Sequence, residues 1–142
     1  MIASAQWKQG PQYEGRSESG HTILFDTDPG HAAGPTPMEA VLTSLCACTS
    51  VDVVSILKKK REPLTGLTVS AVAEQSKEPP RVFTHIRLIY RITGKVSQKA
   101  AEDAVSLSKN KYCSVSKMLE KAVKIDYEIE YADEPVPETV SV

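Results

Sequence analysis

The sequence predicts an α+β fold, on three observations. Strand-like segments cluster at the start, middle and end of the chain instead of alternating singly with helices. One long apolar run, 40–57, opens on a helix-start signal and closes on a group of cations and a proline. The last segment, 123–131, alternates apolar and polar side chains with the period of two of a sheet wet on one face.

Each element follows in order. Short strands are expected over 2–8, 12–18 and 22–26, punctuated by Gly10-Pro11 and Gly20, with DTDPGHAAG (26–34) as the exit loop. Thr36 can cap a helix, Pro37 suits its first position and Glu39 completes a capping box three residues after the cap. This helix runs to about Lys60, where Lys58-Lys59-Lys60-Arg61 meets the negative end of the dipole and Pro63 forbids continuation. Its length is about 35 Å at 1.5 Å per residue. Residues 40–48 are too continuously apolar for one stripe, so the first half is expected to be buried on most sides. Strands over 65–75 and 82–93 follow, the second pointing Ile86, Leu88, Tyr90 and Ile92 one way and His85, Arg87 and Arg91 the other. Ser97 opens a helix to about Lys109 with Ala101, Ala104, Val105 and Ser108 on one side, and a break is expected at 110–112. Cys113 and Ser114 start a short helix with Ser114 as its cap and Val115, Met118, Leu119 and Ala122 at helical spacing. The strand 123–131 closes a single domain spanning 1–131, and 132–142 reads as a frayed tail.

The chain is 142 residues long, with 17 Lys and Arg against 18 Asp and Glu. That balance offers no excess positive charge for a polyphosphate, so nucleic acid is not expected as a partner. No basic start followed by an apolar core marks a secretory signal, and Thr43, Ser44, Thr49, Ser50 and Asp52 interrupt the apolar run that a membrane span would need, so a cytoplasmic protein is expected. Nucleotide-binding glycine motifs are absent, and His21, His31 and His85 lack the spacing of a zinc site, so no cofactor and no metal are expected.

Chemistry is left to the three cysteines, Cys46, Cys48 and Cys113. A helix turns the second thiol of Cys-Ala-Cys about 200° from the first, so Cys46 and Cys48 cannot bond each other, and any disulfide joins one of them to Cys113. Cys113 lies at an expected helix start, where the dipole favours thiolate. A thiol in the apolar helix is expected to be inert unless a cation or a hydrogen-bond donor stands beside it.

These residues resemble a known family. A proline-opened apolar helix with a cysteine eleven positions after the proline (Pro37 to Cys48, in GPTPMEAVLTSLCAC and on into SVDVVSILKK), followed by a cysteine ahead of a short helix (KNKYCSVSKMLEKA, Cys113), is similar to the OsmC/Ohr family of osmotically inducible and organic hydroperoxide resistance proteins. The resemblance implies the OsmC-like fold, an intertwined homodimer with long buried central helices sheathed by antiparallel-rich sheets and sites at the dimer interface. It also implies thiol peroxidase chemistry: Cys48 attacks an organic hydroperoxide and becomes sulfenic acid, Cys113 resolves it as a disulfide, and a dithiol reductant restores both thiols. Cys46 has no counterpart role and reads as core packing. In the well-characterised branches a glutamate directly follows the helix-opening proline and holds an arginine over the reactive sulfur. Here Met38 takes that position and Glu39 is one step late, a supporting residue for which the helix cap is the plainer role. Arg16 is the nearest upstream arginine and lies on a strand. The rival to a peroxidase is a dimeric binding protein that holds a small hydrophobic or reactive ligand at the dimer interface without turnover.

Overall fold

A computed structural model describes residues 1–132, which form two compact units. In the first, Met1–Leu42, three antiparallel strands lie in sequence order: β1 (Ala3–Gln9), β2 (Gln12–Ser17) and β3 (Thr22–Asp26). The exit loop folds around Asp26, which is 2% exposed and accepts the N–H groups of Asp28 at 2.9 Å and Ala33 at 3.1 Å. Gly34 then passes so close to the backbone of Leu24 that any Cβ would collide with the Leu24 carbonyl oxygen. The loop delivers Thr36 as the cap of α1 (Pro37–Lys59). Thr36 Oγ1 accepts from the Glu39 N–H at 3.2 Å and Glu39 Oε1 accepts from the Thr36 N–H at 3.0 Å, the reciprocal capping box that the sequence predicts.

The second unit begins at Thr43, inside α1. Its sheet has the order β4 (Leu64–Gln75), β5 (Phe83–Gly94), β6 (Lys124–Ala132). β4 and β5 are antiparallel, whereas β6 runs parallel to β5. A parallel neighbour needs a crossover connection. It is supplied by α2 (Gln98–Leu107), a π-helical turn (Ser108–Tyr112) and α3 (Ser114–Leu119). Ile86, Leu88, Tyr90 and Ile92 are fully buried on the inner face of β5. On the outer face Arg91 meets its register partner Glu130 (2.9 Å), while His85 reaches Asp126 (2.8 Å) and Arg87 reaches Glu128 (2.6 Å), each two residues beyond its own register partner. Each buried inner side chain contributes about 1.5–3 kcal/mol, whereas the exposed pairs are screened by water, so the inner face holds the sheet and the outer face favours its register.

Every predicted element is present, within the boundary scatter usual for such assignments. The differences lie in the crossover. The chain does not break at 110–112 but winds into the π turn, closed by the Cys113 N–H on the Ser108 carbonyl at 2.8 Å. Cys113, not Ser114, caps α3, its thiol accepting from the Ser116 N–H at 3.4 Å. Ser116 points inward at 1% exposure and Met118 outward at 65%, so the buried face of α3 is not the apolar set expected from its sequence. Along α1 the buried residues are Leu45, Thr49, Val53 and Leu57, one stripe at four-residue spacing, while Val41 and Val51 stay 37% and 70% exposed in the isolated chain. α1 is long and apolar enough to cross a bilayer by length and composition alone, and its stripe is tied into the second unit by a buried hydrogen bond between Thr49 and Tyr90. The tail read as frayed lies outside the described residues, except Ala132 at the end of β6.

Candidate active site

The fold brings Cys48 and Cys113 together. Cys48 lies one residue before Thr49 of the buried stripe, and the crossover carries Cys113 back toward it, so that the Cys48 side chain acts on the Cys113 thiol. No disulfide joins them, and all three cysteines are free thiols. Cys113 is fully buried, and burial pushes its thiol up to about 12. The Ser116 amide at the start of α3 opposes this shift, while the Cys48 thiol and the Asp52 carboxylate add to it. The expectation that a helix start would favour thiolate at Cys113 therefore fails: desolvation outweighs one amide donated by a six-residue helix. Cys113 therefore keeps its proton at neutral pH. Cys46 is half-buried and its thiol is also raised by desolvation, in keeping with a packing role.

Beside the thiols runs a buried polar chain that sequence reasoning missed. Ser108 Oγ donates to Asp52 Oδ2 at 2.8 Å, Thr49 Oγ1 lies 2.7 Å from Ser108 Oγ, and Tyr90 OH lies 2.6 Å from Thr49 Oγ1. Because Ser108 spends its one hydroxyl proton on Asp52, the chain has one consistent polarity: Tyr90 donates to Thr49, Thr49 to Ser108, and Ser108 to Asp52. Thr49, Tyr90 and Ser108 are fully buried, so the chain satisfies hydroxyls that would otherwise be costly to enclose. Burial raises the Tyr90 hydroxyl above its ordinary value, so it remains a donor. Ser108 also begins the π turn that ends in Cys113, so the network anchors the segment carrying the second thiol. Such turns are rare and concentrate at functional sites. The signal in the sequence was an acid four residues after Cys48 within an apolar helix, on the same face one turn on.

Glu39 and Arg16 belong to the first unit. Glu39 serves the capping box, and its carboxyl is held below the usual range chiefly by the Thr36 N–H. Arg16 stands exposed on β2 beside a concave, largely apolar surface of about 500 Å³ with His21, Ile23 and Phe25. Among the described residues, no three His, Cys, Asp or Glu side chains cluster as a metal ligand set would.

The chain is similar to known proteins over most of its length. It is 45% identical over 131 residues to Protein YhfA of Escherichia coli K12, covering 92% of this chain and 97% of that protein. The crystal structure of a hypothetical protein from Aquifex aeolicus VF5 matches with a TM-score of 0.80 at 30% identity, over 93% of this chain and 97% of that one. The organic hydroperoxide resistance protein OhrB of Bacillus subtilis shares the fold, with a TM-score of 0.67 at 17% identity over 92% of this chain and 98% of that one. The profile of the OsmC-like protein family matches residues 30–128, and with the antiparallel opening sheet, the proline-opened helix and the crossover described above, the chain belongs to that family.

Proposed function

We propose that the protein is a thiol-dependent hydroperoxide reductase that uses Cys48 as the attacking thiol and Cys113 as the resolving one. The observation that carries this reading is the buried Cys113 thiol set beside Cys48, on a turn that the buried polar chain anchors. Because burial keeps the proton on Cys113, the attacking role falls to Cys48. Cys48 sulfur displaces alkoxide from the outer oxygen of an organic hydroperoxide, the alkoxide takes a proton to leave as alcohol, and Cys48 is left as sulfenic acid. Cys113 then closes on that sulfur with loss of water, and a dithiol reductant supplies two electrons to restore both thiols. The family's fold in proteins called organic hydroperoxide resistance proteins supports the substrate class.

The working form in this proposal is a cytoplasmic homodimer. Every residue of β1 is exposed in the single chain, Ile23 and Leu24 of β3 are 51% and 41% exposed, and Val51 projects from α1, an amount of uncovered apolar surface that a second copy would bury. The rival reading, ligand binding without turnover, draws on the apolar concavity of about 500 Å³ in the first unit. Treatment with substoichiometric cumene hydroperoxide and peptide mapping separates the two. A 48–113 disulfide with Cys46 still alkylatable after unfolding is expected. A 46–113 linkage, or hydroperoxide left unconsumed by the reduced protein, would sink the reading.

A further inference from the structure

Disulfide closure requires Cys113 to lose its proton, yet burial holds that thiol up to about 12. At neutral pH almost none of it is thiolate, so closure needs a proton acceptor close to the pair. Asp52 is the one carboxylate among the groups that act on the Cys113 thiol. It stands one helical turn beyond Cys48 on the same face of α1. Its Oδ2 is held by Ser108, the residue whose carbonyl fixes the Cys113 backbone through the π turn. Ser108 donates to it directly and the Thr49 and Tyr90 hydroxyls continue that chain behind Ser108, which fixes the carboxylate in place. Asp52 also lines a hollow of about 380 Å³ with Ile56, Lys59, Lys60, Leu107 and Tyr112.

We propose that Asp52 accepts the proton of Cys113 as the 48–113 disulfide closes, and that the hollow beside it lets the product water leave. The assignment rests on the two-cysteine reading above. In the step, the Cys113 S–H bond breaks and its proton passes to the Asp52 carboxylate. The sulfur–sulfur bond forms and the sulfur–oxygen bond of the Cys48 sulfenic acid breaks. The departing hydroxide takes the proton back from Asp52 and leaves as water, so the carboxylate is regenerated. Cys113 sulfur is oxidised and the sulfenic sulfur reduced, with no further reactant. The other titratable groups around the site are Cys46, Cys48, Lys59 and Lys60 on α1, Tyr90 on β5 and Tyr112 in the π turn. Lys60 is paired with Asp103 of α2 at 3.6 Å.

The test uses 4,4′-dithiodipyridine, which loads Cys48 as a mixed disulfide without any peroxide. The first thiopyridone release reports attack by Cys48 and the second reports closure by Cys113, both followed by absorbance in a Cys46→Ser background. Wild-type closure is expected to level off with pH well below the ordinary thiol range, as an ionised carboxylate would impose. Asp52→Asn should slow the second release about a hundredfold at pH 7, within the range of general-base effects, and make it climb tenfold per pH unit. The first release should change less than threefold. Asp52→Glu, which keeps a carboxylate, should recover at least a tenth of the wild-type closure rate. A second release in Asp52→Asn within threefold of wild type overturns the assignment. So does a slowed release that parallels the wild type at every pH, which would mark a merely structural role. Should Asp52→Asn fail to fold, the wild-type profile still decides: closure climbing tenfold per unit from pH 6 to 9 without levelling overturns it. Closure that behaves as expected in a protein unable to consume cumene hydroperoxide would sink the peroxidase reading and leave Asp52 as assigned.

Discussion

Thr49→Val is the sharpest test of the buried polar chain. Valine keeps the branched shape of threonine but removes the hydroxyl that lies 2.6 Å from Tyr90 OH and 2.7 Å from Ser108 Oγ. Two hydrogen bonds at about 1 kcal/mol each are lost, and Tyr90, fully buried, keeps an orphaned hydroxyl that adds about 1 kcal/mol. Ser108 retains Asp52, so the loss stops there. The variant should be about 3 kcal/mol less stable. Tyr90→Phe removes only one end of the chain, leaves Thr49 bonded to Ser108, and should cost about 1 kcal/mol. The double variant is the informative one, because it has no orphaned hydroxyl at Tyr90. It should be no less stable than Thr49→Val alone, about 1 kcal/mol short of additivity or more. Urea unfolding followed by circular dichroism, at one fixed protein concentration because any self-association would shift the midpoint, measures all four corners. Simple addition of the two single costs would refute the connected chain.

Glu39→Gln should keep the capping box and cost under about 0.5 kcal/mol, since an amide oxygen can accept the Thr36 N–H in the same way. Because the Glu39 carboxyl is held below its ordinary value of 4.5, its contribution is present above that pH and fades as pH falls through the lowered value, an acid sensitivity that acid titration of the Gln variant should lack. Hydroperoxide consumption by Glu39→Gln is expected within tenfold of wild type, and a hundredfold loss at unchanged stability would give Glu39 a part in the chemistry. Iodoacetamide mapping at pH 8 should leave Cys113 unmodified until the protein is unfolded, and labelling at the rate of a free thiol would contradict its burial and raised value. Since the Cys113 thiol is raised from 9.0 to about 12, the folded state holds that proton longer than the unfolded chain, so stability falls as pH rises from about 9 toward 12. Cys113→Ser should flatten that fall, as alkaline unfolding curves would show. Sedimentation at micromolar concentration should give twice the 15.5 kDa chain mass, and Val51→Lys, a charge on the exposed apolar face of α1, should shift the protein toward monomer. A wild type that sediments as monomer would remove the case for a dimer.

The sequence by itself determined the elements and their ends, because those depend on residues only a few positions apart. The capping box of Thr36 and Glu39, the inward set Ile86, Leu88, Tyr90 and Ile92, and the helix opened by Ser97 are each local patterns, and each formed as read. The family resemblance likewise rested on two short contexts around Cys48 and Cys113 and extended to the fold. The site's inner construction was decided by tertiary structure. Thr49 finds Ser108 across 59 residues and Tyr90 across 41, and nothing local distinguishes those hydroxyls from solvated ones. Asp52 reads in sequence as an interruption of an apolar helix and acquires its partner only when the crossover returns Ser108 to it. The π turn and the cap of α3 at Cys113 were not legible either, because the segment read locally as a break and winds on only where Ser108 is held in the buried chain. The sign of the Cys113 shift failed for the same reason in energetic form: the helix-end field can be read from neighbouring residues, but desolvation is set by everything folded around the thiol, and here it is the larger effect.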